Sequence, residues 1–294
     1  MRDSLKKLFD KVITLKYRLP CDTYSKTEVS TGDDYAFKAD CDKSVSDLIY
    51  NSIVDLAFDD YYIDINSLND CQQKALNNKI RFNVKDQLAL GFYGEALLNV
   101  FLQLYFGTSV LVARGLFFDL LSNSEIHGYD SHHIIETNDS LEFWFGEAKF
   151  YDSYSEALKQ IWNKINDDID FNYFNKNIQV IVQKNYEISA KGHLINKFIN
   201  ECKKDPFRNF YDDINKYNGK LVYPIFVISN ELKKGFDETI KKEVDKINEL
   251  NISNPVKTPK DLTVELFFIF LPVNDAKTIK SEVLKCIQMK KSLI

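Results

Sequence analysis

The chain has 294 residues, 45% of them hydrophobic and 28% charged, with a formal net charge of −5. This length and apolar content support one large domain with a sizeable core, and the acidic balance removes the simplest electrostatic case for nucleic-acid binding, leaving local lysine patches to supply any phosphate contacts. The five cysteines (Cys21, Cys41, Cys71, Cys202 and Cys286) are widely spaced, odd in number and without a CxxC pair, a pattern of a reduced, cytoplasmic compartment rather than a disulfide framework.

Met1 to Leu19 mixes lysines with apolar residues and has no continuous apolar core, which predicts an amphipathic helix rather than a signal peptide. An extended stretch is expected around Tyr35-Ala36-Phe37. Ser44 to Phe58 reads as a helix capped by Ser44, with Val45, Leu48, Ile49, Ile53 and Leu56 at helical spacing. Residues 1–84 are read as a mixed N-terminal extension to which the sequence assigns no role, partner docking being a candidate, and residues 85–294 as the domain that carries the chemistry. Asp86 to Phe106 predicts a helix with Leu88, Phe92, Ala96, Val100 and Leu104 on one stripe, followed by a strand at Ser109 to Arg114 and a further apolar segment at Leu116 to Leu121. Gly128 to Phe150 then reads as two strands joined by a polar turn at Asn138-Asp139. Ser153-Tyr154-Ser155-Glu156 is a capping box that opens a helix with Ala157, Leu158, Ile161, Trp162, Ile165 and Ile169 inward. A β-branched run at Asn177 to Gln183 predicts a central strand. A helix near Ala190 to Lys203, a strand at Leu221 to Ser229, a Lys/Glu-rich helix from Gly235 to Leu250, a strand at Thr263 to Leu271 and a helix from Asp275 to Met289 complete the expected order. The apolar run Leu266 to Val273 is too short to span a bilayer and contains Pro272. Short strands with helices before and after them predict an α/β sandwich.

Chemistry concentrates in the hairpin. If the turn is centred on Asn138-Asp139, paired positions sum to 277, so Ile134 faces Phe143, His132 faces Phe145 and Asp130 faces Glu147. Directly opposed residues hold their Cβ atoms about 4.5–5.5 Å apart. Two carboxylates that close repel unless a cation lies between them, and Mg²⁺ takes oxygen ligands. Lys149 lies two residues past Glu147 and shares its face. Two carboxylates and an ammonium beside an apolar floor suit metal-assisted hydrolysis; the plain alternative is an ion pair at a strand end. Glu95 is a third acid near the apolar face of its helix. Gly91 and Gly94, each costing about 1 kcal/mol in a helix, predict a close approach of that helix to the sheet. Gln160 reads either as an exposed helical residue or as a group that orients phosphate or water. His127, His132 and His133 lack zinc spacing, and His132 and His133 point to opposite faces. There is no P-loop and no dinucleotide fingerprint, so ATP hydrolysis is not expected.

Glu95, then Gly128-Tyr129-Asp130, then Glu147-Ala148-Lys149 resembles the PD-(D/E)xK nuclease superfamily over residues of about 85 to 183. Tyr129 stands where that superfamily usually has proline. The resemblance implies a restriction-endonuclease-like core, a mixed central sheet flanked by helices, with Asp130, Glu147 and the Ala148 carbonyl binding Mg²⁺ or Mn²⁺. It also implies that Glu95 helps to hold a second ion or its waters, and that Lys149 orients the attacking water and helps to deprotonate it. At a finer level, Gly-Tyr-Asp-Ser-His-His, Gly-Glu-Ala-Lys-Phe-Tyr and the N-terminal extension resemble the HamA nucleases of Hachiman antiphage defence. That resemblance implies a DNA-degrading subunit partnered by a superfamily 2 helicase, HamB-like, and no membrane. A non-catalytic adaptor that binds DNA or helicase, a stand-alone restriction-type endonuclease and an RNase are the alternatives.

Overall fold

The computed structural model describes all residues except 80–86, 114–117, 120–123, 126–127, 184–191, 206–208, 210–213, 231–234, 261 and 294. Its centre is an eight-stranded mixed sheet. The strands are β1 (Ile13–Leu19), β2 (Asp34–Ala39), β3 (Ser109–Val110), β6 (His133–Glu136), β7 (Leu141–Trp144), β8 (Glu147–Phe150), β9 (Lys220–Ser229) and β10 (Val264–Pro272), while β4 (Phe118–Asp119) and β5 (Ser124–Glu125) form a separate small hairpin. The order across the sheet is β1-β2-β10-β9-β7-β6-β3, with β8 also on β9. β10 runs parallel to both β2 and β9, and β7 and β8 run parallel to β9. The pairs β1–β2, β6–β7 and β3–β6 are antiparallel.

The two innermost strands explain themselves. Leu221 to Ser229 and Leu266 to Pro272 are buried throughout, the near-continuous apolar run expected of strands covered on both faces. Alternate residues feed two cores. Ile225 and Phe268 belong with Phe143, Phe145, Ile161, Phe174 and Ile240 on one face. Phe226 and Ile269 belong with Phe37, Ile53, Leu97, Phe101 and Ile279 on the other. The first face is covered by α6 (Tyr154–Asp168), α7 (Phe171–Gln183), α8 (His193–Lys204) and α9 (Phe236–Ser253). The second is covered by α1 (Asp3–Val12), α2 (Asp42–Ala57), α5 (Phe92–Leu104) and α10 (Ala276–Gln288), with two short helices, α3 (Asp60–Ile65) and α4 (Leu68–Lys74), following α2. Helix ends follow side-chain capping: Ser153 accepts from Glu156 N, and Asp275 accepts from Thr278 N at 3.0 Å. Among the described residues no helix is long and apolar enough to cross a membrane, and all five cysteines are free.

Several expectations are corrected. The N-terminal helix stops at Val12, and Ile13 to Leu19 form β1, buried at both ends and alternating between, the period of a strand. Asn177 to Gln183 is not a strand but the second half of α7. Phe174, Ile178 and Ile181 are 0%, 1% and 2% exposed and lie three to four residues apart, so the helical period prevails over the β-branched run. The next strand of the sheet is β9, reached after α7 and α8. The helix expected from Asp86 begins at Phe92, preceded by a 3₁₀ turn at Gln87–Ala89; Asp86 lies outside the described residues. Of the described residues of the Ser109 to Arg114 segment only Ser109–Val110 form a strand, and Arg114 and most of Leu116 to Leu121 lie outside the described residues. Strands β1 and β2, from residues 1–84, extend the same sheet, and α2 packs against α5 and α10.

Candidate active site

The register of the hairpin is the one that brings acids together. The observed pairs His133↔Trp144, Ile134↔Phe143, Ile135↔Glu142 and Glu136↔Leu141 each sum to 277. Beyond the ladder, Asp130 N donates to Gly146 O at 2.9 Å and Ala148 N donates to Asp130 Oδ2 at 2.9 Å, so Asp130 is carried alongside Glu147. β7 and β8 keep one register on β9, since Glu142↔Lys220 and Glu147↔Ile225 both differ by 78. The interruption between them falls at Phe145-Gly146 opposite Tyr223-Pro224. Pro224 lacks an N–H, and its ring and carbonyl fill the space where a Cβ on residue 146 would sit.

Glu147 is 2% exposed. Its Oε1 receives Lys149 Nζ and, at 2.9 Å, Lys164 Nζ. Lys164 also reaches Asp168 Oδ2 at 3.3 Å, and Tyr223 OH donates to the same oxygen at 2.9 Å. Two ammonium groups offset the cost of burying that carboxylate. The other oxygen, Glu147 Oε2, is buried without a hydrogen-bond partner. Burial alone would lower the Lys149 pKa, but Asp130 and Glu147 together outweigh it and raise the value, so Lys149 is held protonated. For Lys164 burial again opposes and the Glu147 charge prevails, with the net shift upward. Asp168 is raised by burial despite Lys164.

Asp130, Glu147, Ala148, Lys149 and Lys164 line a pocket of about 740 Å³ together with Glu95, Gly91, Lys277 and Lys280. Glu95, 8% exposed, enters from the first turn of α5. That helix lies close to the sheet: a Cβ on Gly94 would stand 3.3 Å from Ala148 Cβ. Gly91 is the N-cap rather than an interior position. Tyr129, which precedes Asp130, donates its hydroxyl to Asp168 O, and its ring packs against Phe145, Tyr173 and Tyr223.

The remaining polar residues fall elsewhere. Gln160 is exposed and accepts from Tyr151 OH at 2.8 Å. His132 packs against Phe145, and its Nε2 lies 3.5 Å from Asn177 Oδ1. His133 sits on the opposite face between Thr108 Oγ1 (2.7 Å) and Asn99 Oδ1 (2.9 Å), and burial pushes its pKa down to about 3. His127 lies outside the described residues. Sequence reasoning missed Lys164; its i,i+4 spacing to Asp168 marks a pair along one helix, but its reach to Glu147 follows from how α6 docks on the sheet.

Among the described residues no three or more His, Cys, Asp and Glu side chains form a metal cage. The arrangement is an open one: Asp130 and Glu147 bring carboxylate oxygens to one pocket, hard donors of the kind Mg²⁺ and Mn²⁺ accept. The unpartnered Oε2 of Glu147 beside Asp130 fits such an ion. Comparison with curated proteins yields no match, and neither does comparison with solved structures. The family model HamA, by contrast, matches residues 8–287, nearly the whole length, and the chain belongs to the HamA family of antiphage-defence proteins.

Proposed function

We propose that this chain is a divalent-metal-dependent DNA nuclease of PD-(D/E)xK type, the effector subunit of a Hachiman defence complex with a superfamily 2 helicase of the HamB kind. The observation that carries this reading is the buried, unpartnered Glu147 Oε2 next to Asp130, in a pocket that also holds Glu95 and four lysines. Asp130, Glu147 and the Ala148 carbonyl would be the oxygen donors for Mg²⁺ or Mn²⁺, and Glu95, from α5, would help to hold a second ion or its waters. When bound, the ion supplies Lewis acidity toward the phosphate and toward water. Ala148 N fixes Asp130 through Oδ2, so the backbone of β8 sets the spacing of both carboxylates. Lys149 carries a proton in the resting site, which makes it a donor that orients the attacking water and a phosphate oxygen. It would take the water's proton only after giving up its own to solvent, which a cation on Asp130 and Glu147 would favour by offsetting the carboxylate charge that holds that proton.

Supercoiled plasmid, incubated with the purified chain or its helicase complex in Mg²⁺ and in EDTA, tests this. Cleavage is expected only with Mg²⁺, and Lys149→Ala, assayed below its own melting transition, is expected to slow it by about 10²–10⁴-fold, the usual share of a proton-transfer group. Wild-type cleavage by Lys149→Ala would sink the assignment. One observation favours the adaptor reading: two lysines already neutralise Glu147 Oε1, so the cluster stands without an ion. Metal-independent binding of DNA or helicase, with no cleavage in any cation, is the outcome that reading requires.

A further inference from the structure

Four lysines line the pocket of an acidic chain, and two of them are already accounted for, since Lys149 and Lys164 hold Glu147. The other two stand on the first turns of α10. Lys280 Nζ donates to Phe150 O at 2.7 Å and lies over the Phe150, Tyr93 and Tyr151 rings at 5.1, 5.7 and 6.0 Å, so its ammonium is held against the end of β8. Lys277 is exposed on the same wall and makes no ion pair or hydrogen bond among the described residues. Residues three apart on a helix are neighbours, with Cβ atoms about 5–6 Å apart. The end of α10 itself is not the feature. Asp42 accepts from Asn274 N and Asp275 N at 3.0 and 2.8 Å, and Asn230 Oδ1 accepts from Ala276 N, so those amides are occupied. What faces the pocket is ammonium charge, across from a carboxylate oxygen that is buried and unpartnered.

We propose that Lys277 and Lys280 form a backbone-phosphate subsite, which receives a phosphodiester of the nucleic-acid strand next to the one addressed by Asp130, Glu147 and Lys149. The proposal rests on the nuclease reading of the same pocket, but it concerns grip rather than chemistry. Lys280 is the fixed element, anchored by the Phe150 carbonyl. Lys277 is the adaptable one, a compact point charge on a flexible stem. The pair gives a net-acidic protein a local cationic wall where a strand must pass.

The test is metal-free binding, so that cleavage does not enter. Fluorescence anisotropy of labelled single-stranded and duplex DNA in EDTA, from about 50 to 200 mM salt, gives the slope of log affinity against log salt. Each phosphate contact contributes about 0.9 to that slope for duplex and about 0.7 for a single strand. Lys277→Gln is expected to lower the slope by about one such contact, so its loss of affinity across that salt range is about 3.5-fold smaller than wild type on duplex. Lys277→Arg is expected to keep the slope. Lys285→Gln, which removes a charge from the last turn of the same helix, away from the pocket, is expected to leave it unchanged. An unchanged slope in Lys277→Gln, an equal loss in Lys285→Gln, or no measurable wild-type affinity at low salt would each overturn the subsite. Binding that depends on Lys277 without any Mg²⁺-dependent cleavage would retain the subsite and remove the nuclease reading. Cleavage with Lys277-independent binding would do the reverse.

Discussion

Gly146→Ala is the sharpest perturbation the architecture offers, because one missing methyl group lets β8 carry Glu147 past Pro224. A Cβ at position 146 would lie 2.5 Å from Pro224 Cγ, 2.6 Å from Cδ and closer still to the Pro224 carbonyl oxygen. Ordinary carbon contacts are about 3.5–4.0 Å, so the two strands must part by about 1 Å. Neither neighbour is a flexible side-chain end: one is a ring and the other is backbone, in the middle of a strand buried throughout. Overpacking typically costs about 1–3 kcal/mol, and rigid obstacles place this case near about 3. At about 2–4 °C per kcal/mol for a domain of this order of size, melting should fall by about 6–12 °C. Gly146 O also accepts from Asp130 N at 2.9 Å, so the shift moves Asp130 relative to Glu147, and activity should fall even at temperatures where the variant stays folded. Gly32→Ala is the control, since a Cβ there meets Phe267 at an ordinary 3.6 Å; it should stay within about 0.5 kcal/mol. Thermal denaturation with cleavage measured alongside reads both effects. A Gly146→Ala melting temperature equal to that of Gly32→Ala would refute the strand-contact reasoning.

Two pH responses follow from buried groups. His133 has a folded pKa of about 3, below the unfolded value of about 6.5. Its contribution to stability is therefore complete above about pH 6.5 and is lost at about 1.4 kcal/mol per unit as pH falls toward 3. His133→Leu should unfold more easily at pH 7, because Asn99 and Thr108 lose their partner, yet show a flatter decline between pH 6.5 and 4.5 in urea titrations; an unchanged decline would contradict the assignment. Asp168 is raised by burial and held back chiefly by Lys164, so Lys164→Met should raise it further. The native state then binds a proton that the unfolded chain does not, from the ordinary Asp value up to the raised one. Stability of Lys164→Met relative to wild type should therefore fall as pH rises through that window, and parallel pH–stability curves for the two proteins would exclude this coupling.

Much of the fold could be read in the chain because the signals were local and redundant. The buried strands β9 and β10 are unbroken apolar runs, and the α6 capping box and Asp275 mark helix starts through their own side chains. The hairpin register was fixed by a single turn, Thr137 N to Ser140 O, and by alternation on either side of it. Errors arose where two periods competed. Ile178, Val180, Ile181 and Val182 read as strand when taken alone, but Phe171 and Phe174 extend a helical stripe that a longer window favours. The opposite happened at the N-terminus, where a helix-like mixture concealed the two-residue period of Ile13 to Leu19. The proximity of Asp130, Glu147 and Lys149 was legible because a hairpin ties them to one register, whereas the approach of Glu95 depends on how α5 packs. Lys164, Lys277 and Lys280 were not legible, since their convergence depends on how α6 and α10 dock, which no sequence spacing encodes. Pro224 opposite Gly146 was equally hidden, because the two glycine and proline positions meet only across the parallel β8–β9 pair.

The central claim is that Asp130 and Glu147 together hold a divalent cation, and direct titration of Mn²⁺ into the purified chain by calorimetry measures that most simply. Saturable binding is expected in wild type, loss of that site in Glu147→Gln, and affinity reduced by about tenfold or more, about 1.4 kcal/mol, in Asp130→Asn. Wild-type Mn²⁺ affinity in Glu147→Gln would contradict the account, leaving Glu147 as the counter-ion of Lys149 and Lys164 and nothing more.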